Sequence, residues 1–341
     1  DQITWEKAKM LNLGIELGIN NNLDFQADYF TEYRTNILMD RAQIPASMGL
    51  QAPIRANVGE ASSEGFEFTL DYKNSLTNDL FVGLRANFSY ADSKFEVYEE
   101  LDYVTAGLPW RSRVGLNLSQ PYGYIAERLF IDEADIANSP LQTFGEYMPG
   151  DIKYKDINND GLIDINDEVP IGYPTTPKII YGFGLSSSYK NLDFSFFFQG
   201  SAQSSFFIDA YNSSPFIDTY GGAIGNNALL TAWADDHWSE DDRDLYAAWP
   251  RLSDQLIDNN NRNSTWWLRD GTFLRLKSVE LGYTIKNDFI SKLKITNARI
   301  YFTGTNLLTF SKFKIWDVEM GGNGLGYPIQ LGINFGINLN F

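Results

Sequence analysis

The chain has 341 residues, with 44 acidic and 27 basic side chains and a formal net charge of -17. It has no cysteine and one histidine, which excludes disulfide scaffolds, thiolate nucleophiles and metal sites built from several cysteines or histidines. The negative charge argues against nucleic acid as a partner, because neutralising phosphates needs clustered lysine and arginine. The chain has no run of about 18 apolar residues, so we expect no transmembrane helix.

Apolar and polar residues alternate with a period of two in segment after segment. The pattern first appears at residues 11–19, where leucine and isoleucine alternate with asparagine, glycine and glutamate. It is clearest at residues 331–341, where one set is wholly apolar and the other is glycine and asparagine. A period of two places the two sets on opposite faces of a strand. The pattern predicts strands at about 11–19, 23–38, 59–73, 79–96, 178–190, 192–204, 272–285, 296–308 and 328–341.

Strands of this kind occur in soluble β-sandwiches and in outer-membrane β-barrels. Sandwich strands average about 5–6 residues, whereas these run to about 9–15. The joins between them alternate between short and long, which is typical of barrels with short periplasmic turns and long extracellular loops. We therefore predict an all-β fold, a transmembrane antiparallel β-barrel, and keep the sandwich as the alternative. The extracellular loops are expected at about 39–58, 97–177, 205–271 and 309–327.

The predicted number of strands is odd, whereas bacterial barrels have even counts. One interpretation is that the nine strands are the C-terminal portion of a larger barrel. The other is a missed strand within residues 97–177, where residues 113–118 alternate weakly. Residues 1–7 do not resemble a signal peptide, and we expect the chain to be a piece of a longer protein.

Residues 263–285 read NSTWWLRDGTFLRLKSVELGYTI. This segment resembles a signature block of the SusC/RagA family of TonB-dependent outer-membrane transporters of Bacteroidetes. Further similar blocks follow one another along the chain, among them NVGE at 57–60, GDIKY at 150–154 and TGTNLL at 303–308. The resemblance covers nearly the whole chain. One departure is the sequence Asp-Val-Glu at 317–319, where the family usually has Asp-Pro-Glu.

The resemblance implies the C-terminal part of a 22-stranded barrel whose N-terminal plug and first strands are not in this sequence. It also implies outer-membrane import of glycans or peptides, with no enzymatic activity. The implied partners are a SusD-like surface lipoprotein that covers the barrel, TonB acting through the N-terminal part, and membrane lipid. Pairs of transporter and lipoprotein could further associate as dimers. Two alternatives stay open: a secreted carbohydrate-binding sandwich and a passive porin or receptor barrel.

One segment matches a calcium-binding loop, with the pattern D-x-N-x-D-G at residues 156–161. Hard oxygen ligands at this spacing can wrap one Ca²⁺ ion, and glycine at the sixth position permits the sharp turn. The usual glutamate at the twelfth position is an aspartate, which Glu168 could replace. The alternative is a solvated turn, since Asp, Asn and Gly favour turns. The candidate ligands are Asp156, Asn158, Asp160, Leu162 through its carbonyl, Asp164 and Asp167.

Four residues are candidates for substrate contact. Trp110 and Trp266 could stack on sugar rings, or they could pack the loops or anchor the membrane interface. Arg85 and Asp193 lie on the polar face of predicted strands, and this face would line the barrel lumen. Asn12, Glu16, Asp24, Asp28, Glu67, Asp71, Asn334 and Asn338 are expected on the same face.

Overall fold

The computed structural model describes residues 3–218, 227–285 and 295–341, and its main feature is one antiparallel sheet. Nine strands lie side by side in chain order. This confirms the predicted all-β antiparallel fold. The strands are β1 (Lys7–Ile19), β2 (Leu23–Asp40), β3 (Arg55–Ser75), β4 (Leu80–Val97), β5 (Ile179–Tyr189), β6 (Leu192–Ala202), β7 (Phe273–Ile285), β8 (Asn297–Ser311) and β9 (Gly332–Asn340).

Residues 97–177 add no strand to this sheet, so the possibility of a missed barrel strand there is wrong. Phe95 and Val114 form an isolated parallel bridge, and this is the nearest that residues 113–118 come to joining the sheet. The weak alternation there has no continuous partner strand to pair with.

The sheet has one apolar and one polar face, and the apolar face is uncovered. Leu331 is 57% exposed, Phe335 80% and Leu339 43%. A soluble sandwich would bury these side chains against a second sheet, so that alternative does not describe the chain. None of the helices in the described residues has the length and apolar content needed to cross a membrane.

Short turns join the strands at one end of the sheet. Asn20 and Asn21, in the turn between β1 and β2, have φ values of 51° and 54°. Lys190, in the two-residue turn between β5 and β6, has a φ of 55°. Asparagine adopts this left-handed region more readily than most residues, which explains the Asn-rich turn. The predicted short join at 286–295 lies almost wholly outside the described residues.

Residues 98–178, 203–218, 227–272 and 312–331 fold together at the opposite end of the sheet, and we call them the loop layer. Their buried residues form one core, which includes Tyr154, Trp233, Trp249 and Trp267. Its helices are α1 (Glu133–Ala137), α2 (Ala210–Ser213) and α3 (Thr231–Asp235). Its short strands are Tyr122–Gly123, Ala126–Leu129, Leu141–Gln142, Ile152–Tyr154, Leu162–Ile163, Val169–Pro170, Ser205–Phe207 and Leu268–Asp270.

The exposure of the apolar face leads to a prediction for neighbouring residues on β9. The chain has no cysteine, so Asn334→Cys or Phe335→Cys introduces a single thiol into it. In native outer membranes, a water-soluble maleimide should label the cysteine at 334 and spare the one at 335, because the reactive thiolate forms in water and not in hydrocarbon. Both should label after denaturation. Equal labelling of the two sites in intact membranes would contradict the assignment of the faces.

Candidate functional site

The polar face of the sheet forms a continuous surface, which we call the inner face. The strand register places Asp24 opposite Asp71, Asp71 opposite Arg85, and Thr303 opposite Asn334. Because side chains alternate along each strand, these pairings fix which residues share the face. All the residues predicted for the lumen lie on it, namely Asn12, Glu16, Asp24, Asp28, Glu67, Asp71, Arg85, Asp193, Asn334 and Asn338.

Carboxylates face each other across β2 and β3 on the inner face. Asp24 is opposite Asp71, and Asp28 is opposite Glu67. Like charges in directly opposed positions destabilise a sheet, so these pairs are not there for stability. Arg85 offsets one of them through a 2.9 Å ion pair between its Nε and Asp71. Both partners are more than half exposed, and such a pair contributes little to stability.

A cavity of about 580 Å³ lies against this part of the inner face. Asp24, Asp71 and Arg85 line it together with Ser186 and Ser195 from β5 and β6. The candidate substrate residue Arg85 therefore faces open space beside a carboxylate partner. This wall offers hydroxyl and carboxylate oxygens, and one guanidinium, to a polar ligand.

Asp193 belongs to a separate cluster on the inner face. Arg299 on β8 places its guanidinium between Asp193 and Glu280, and its Nε lies 3.1 Å from Asp193 Oδ1. One cation thus joins three neighbouring strands. Asp193 is engaged in this bridge, whereas Arg85 lies two strands away on β4 and pairs with Asp71, so the two candidates do not form one site.

The segment that matches the calcium-loop template forms a tight turn. Asp156 accepts hydrogen bonds from the backbone N–H of Asn159 at 2.6 Å and of Gly161 at 2.9 Å. Asp160 accepts one from Leu162 N–H at 2.8 Å. Gly161 has a φ of 87°, in the left-handed region that favours glycine. The backbone therefore curls around the side-chain oxygens of this loop.

Asp167, at the twelfth position of the template, is fully buried. Its Oδ1 accepts the N–H of Ile157 at 2.8 Å, and its Oδ2 accepts that of Asp164 at 2.9 Å, so it ties the two ends of the loop together. Glu168, the alternative ligand, instead forms an ion pair with Arg111 at 2.9 Å. Across the described residues, no three His, Cys, Asp or Glu side chains converge as a metal site.

The tryptophans of the loop layer serve mainly as packing residues. Trp233, Trp249 and Trp267 are buried, and successive rings lie 4.8 and 4.9 Å apart between centroids. Trp266 is partly buried against the same core. Trp110 donates its indole N–H to the carbonyl of Asn166 at 2.8 Å, which fixes it against the template loop. The candidates Trp110 and Trp266 are therefore both in contact with the loop layer itself.

A buried polar network, which the sequence did not reveal, supports this layer. Asp151 is fully buried, lies 2.8 Å from Arg251, and accepts a 2.8 Å hydrogen bond from the Asn260 amide. Asn260 also accepts the Ile152 N–H at 2.9 Å, and its carbonyl accepts the Trp267 indole N–H at 2.7 Å. Burial raises the pKa of Asp151, although Arg251 works in the opposite direction. Asp151 follows a glycine in the GDIKY block, but nothing in that pattern indicates a distant asparagine partner.

Arg275 on β7 fastens the segment 312–331 to the end of the sheet. It is buried, forms ion pairs with Asp317 at 2.6 Å and with Glu319 at 2.7 Å, and leaves neither carboxylate free. The two acids at 317 and 319, where the sequence departs from the family pattern at Val318, thus share one arginine. A buried charge needs such pairing to be tolerated.

Asp135 on α1 carries a second charged cluster of the loop layer. Arg128 approaches it in a bidentate manner at 2.6 and 3.0 Å, and Lys153 lies 3.1 Å away. These hydrogen bonds, those of Arg128 above all, hold the pKa of Asp135 well below its ordinary value of 3.8. A carboxyl whose pKa is lowered by folding stabilises the fold above its ordinary pKa, and this contribution is lost as the pH falls below that value.

Asp135→Asn removes this charge and retains the shape of the side chain. At pH 7, hydrogen exchange of residues 126–154 in the intact protein should show a loss of local stability of about 1.5–3 kcal/mol, the usual worth of hydrogen bonds to a charged group. The difference from the wild type should shrink as the pH falls below about 4, where the unfolded carboxyl is protonated. Asp254→Asn, at an exposed position, should have no such effect. A pH-independent difference would show that the charge is not responsible.

Comparison with known proteins agrees with this architecture. No family model matches the chain. The TonB-dependent receptor P26 of Formosa agariphila is 27% identical, with 99% of this chain and 35% of that protein aligned. The TonB-dependent receptor SusC of Bacteroides thetaiotaomicron is 25% identical, with 100% of this chain and 32% of that protein aligned. The chain therefore spans about a third of the length of these relatives.

Among solved structures, a chain of the RagAB peptide transporter superposes with a TM-score of 0.65 at 25% identity, over 99% of this chain and 36% of that one. The relatives are receptors and transporters rather than enzymes, in agreement with the absence of enzymatic activity predicted from the sequence. The likeness in sequence and the likeness in fold both extend over the whole chain and point to the same kind of protein. The chain is therefore similar in sequence and fold to the SusC/RagA-like TonB-dependent receptors, and its sheet is that of an outer-membrane β-barrel.

Proposed function

We propose that the chain is the C-terminal part of a TonB-dependent importer that carries glycans or peptides across the outer membrane. The observation that carries the proposal is the division of the sheet into an uncovered apolar face and a polar inner face. Phe335 is 80% exposed on the apolar face, whereas its neighbour Asn334 shares the inner face with Arg85 and Asp193. An apolar surface of this extent belongs against hydrocarbon, and the polar face then surrounds water.

Among the described residues the sheet is open, since β1 and β9 have no further partner strand in it. Unpaired strand edges in hydrocarbon are expensive, so a membrane-spanning sheet must close. We propose that strands from the rest of the protein complete a 22-stranded barrel around a plug. The aligned relatives are about three times as long as this chain, which leaves room for both.

The partners follow from the same relatives and are part of the proposal. The names of the relatives describe TonB-dependent receptors and a RagAB assembly. By analogy, a SusD-like surface lipoprotein would cover the extracellular end, and TonB would act through the N-terminal part. The loop layer is suited to receive a lid because its core and its buried Asp151 network keep it folded independently of a ligand.

In this mechanism the chain itself binds and guides the substrate. Ligand captured between the lid and the loop layer would pass to the inner face, where the carboxylates of β2 and β3 and the guanidinium of Arg85 offer hydrogen bonds. Because these pairs are exposed and weak, they can exchange partners with a passing ligand. The rearrangement of a plug would open the route to the periplasm.

Deletion and complementation of the whole gene test the proposed import. Deletion of the gene should abolish growth of the source bacterium on one class of glycan or peptide, and the intact gene should restore it. The restored growth should require TonB, because the plug needs an external force to move. Growth on every tested nutrient after deletion would contradict the proposal, and restored growth without TonB would favour a passive porin.

We also propose that the template loop holds one Ca²⁺ ion and thereby stiffens the loop layer. Each oxygen of Asp156 and Asp160 that accepts one backbone N–H keeps a second lone pair for a cation. Coordination would need the amide oxygen of Asn158 and the carbonyl of Leu162 besides these carboxylates, since the acidic side chains do not converge by themselves. Bound Ca²⁺ would offset the repulsion between these acidic residues.

Limited proteolysis of the intact protein in detergent tests whether the template loop binds Ca²⁺. Chelation should speed cleavage within residues 156–167, and added Ca²⁺ should restore protection. Asp160→Ala should remove the calcium response, whereas Asp241→Ala, at an exposed position elsewhere in the loop layer, should leave it unchanged. Cleavage that is independent of Ca²⁺ in the wild type would rule the site out.

A further inference from the structure

A second cavity, of about 340 Å³, lies where the loop layer meets the ends of β2 and β4. Its size falls in the range of small-ligand sites, about 300–1,000 Å³. It is separate from the inner-face cavity beside Arg85. Three tyrosines, two arginines and three glutamates line it, together with residues from the strand ends: Tyr98, Tyr103, Tyr122, Arg111, Arg113 and the glutamates at 99, 100 and 168.

Arg113 has an unusual environment in this cavity. Its guanidinium lies 4.9 Å from the ring centre of Tyr122 and 5.8 Å from that of Tyr98. In the part of the chain that the structure describes, no carboxylate lies within ion-pair distance of this guanidinium, and no acceptor is within hydrogen-bonding distance of its side-chain nitrogens. The five N–H donors of a guanidinium form a fork that suits a carboxylate. The ring contacts hold the side chain at the wall of the cavity, and these donors have no partner among the described residues.

The other charged groups around the cavity are already engaged. Arg111 pairs with Glu168 at 2.9 Å, and Arg41 pairs with Glu99 at 2.7 Å. Glu100 accepts the hydroxyl of Ser112 and, at 2.9 Å, the backbone N–H of Arg113. Arg113 is therefore the charged side chain of this cavity whose donors are left for a ligand.

We propose that this cavity binds an acidic sugar, with the carboxylate of the sugar on the Arg113 guanidinium and its ring against a tyrosine. Arg113 lies over the rings of Tyr98 and Tyr122, and Arg111 lies 5.6 Å from the ring centre of Tyr103. The sugar ring would therefore take the opposite face of one of these tyrosines, which is flat and apolar. The glutamates keep free lone pairs and can accept hydrogen bonds from sugar hydroxyls. A neutral sugar would leave the Arg113 donors unpaired, so the cavity selects for the carboxylate.

Binding of an acidic sugar at this cavity would specify the class of ligand that the proposed importer takes up at its extracellular end. The physiological role of this binding rests on the proposed import function. The binding event itself needs neither TonB nor transport. A failure of the binding test therefore leaves import standing, and a failure of import leaves binding at Arg113 open to measurement.

Calorimetric titration of the intact protein in detergent provides the test, with glucuronate as the probe and glucose as its neutral counterpart. Glucuronate should bind with one-to-one stoichiometry and glucose should bind at least about tenfold more weakly, which matches the loss of a charged hydrogen bond. Arg113→Gln should reduce glucuronate affinity by about tenfold or more. Arg113→Lys, which keeps the charge and loses the fork, should bind glucuronate with an intermediate affinity.

Arg243→Gln is the matched control, because this exposed arginine pairs with Glu240 in another part of the loop layer. It should leave glucuronate binding unchanged. Thermal unfolding of each variant shows whether it folds, and the lysine variant keeps the test valid if the glutamine variant does not. The proposal is overturned if glucuronate does not bind, or if it binds the folded Arg113→Gln protein as tightly as the wild type. It is also overturned if N-acetylalanine binds more tightly than glucuronate, because the site would then prefer the carboxylate of a peptide.

Discussion

The structure depends on a single constraint, namely that each strand of the sheet must meet two different solvents. The side chains of β9 that point outwards are apolar and uncovered, whereas those that point inwards are asparagine and glycine. Period-two alternation enforces this division, and a shift of register by one residue would reverse every side chain. The order of the strands, the short turns at one end and the polar surface inside all follow from meeting this constraint in an antiparallel sheet.

The loop layer is stabilised by different interactions from those of the sheet. It buries its tryptophans against one another and pairs several buried polar groups internally, as a water-soluble domain does, although the buried indole N–H groups of Trp233 and Trp238 have no partner among the described residues. Asp151, Arg251 and Asn260 form the centre of this arrangement, and Arg275 fastens part of the layer to the sheet. The molecule thus joins a sheet with an uncovered apolar face to a cap that has its own core. Such a cap can present a rigid surface to a ligand or a lid.

The sequence predicted the sheet well and the cap poorly, for a physical reason. Alternation is a local pattern, so Leu331 and Asn334 could be assigned to opposite faces from their spacing alone. The contacts of Asp151 with Asn260, and of Arg275 with Asp317, join residues far apart in the chain and leave no periodic trace. The environment of Arg113 was equally invisible, since it depends on where tyrosines from separate segments meet. The match of residues 156–161 to a calcium loop predicted the local turn, and the ion itself stays a prediction.

A structure of the intact protein in lipid nanodiscs, determined by electron cryomicroscopy, tests the central claim most directly. Acyl-chain density is expected against Leu331, Phe335 and Leu339, and solvent is expected between the inner face and the rest of the barrel. The central claim would be contradicted if another layer of the same protein covered these three side chains and kept them away from lipid.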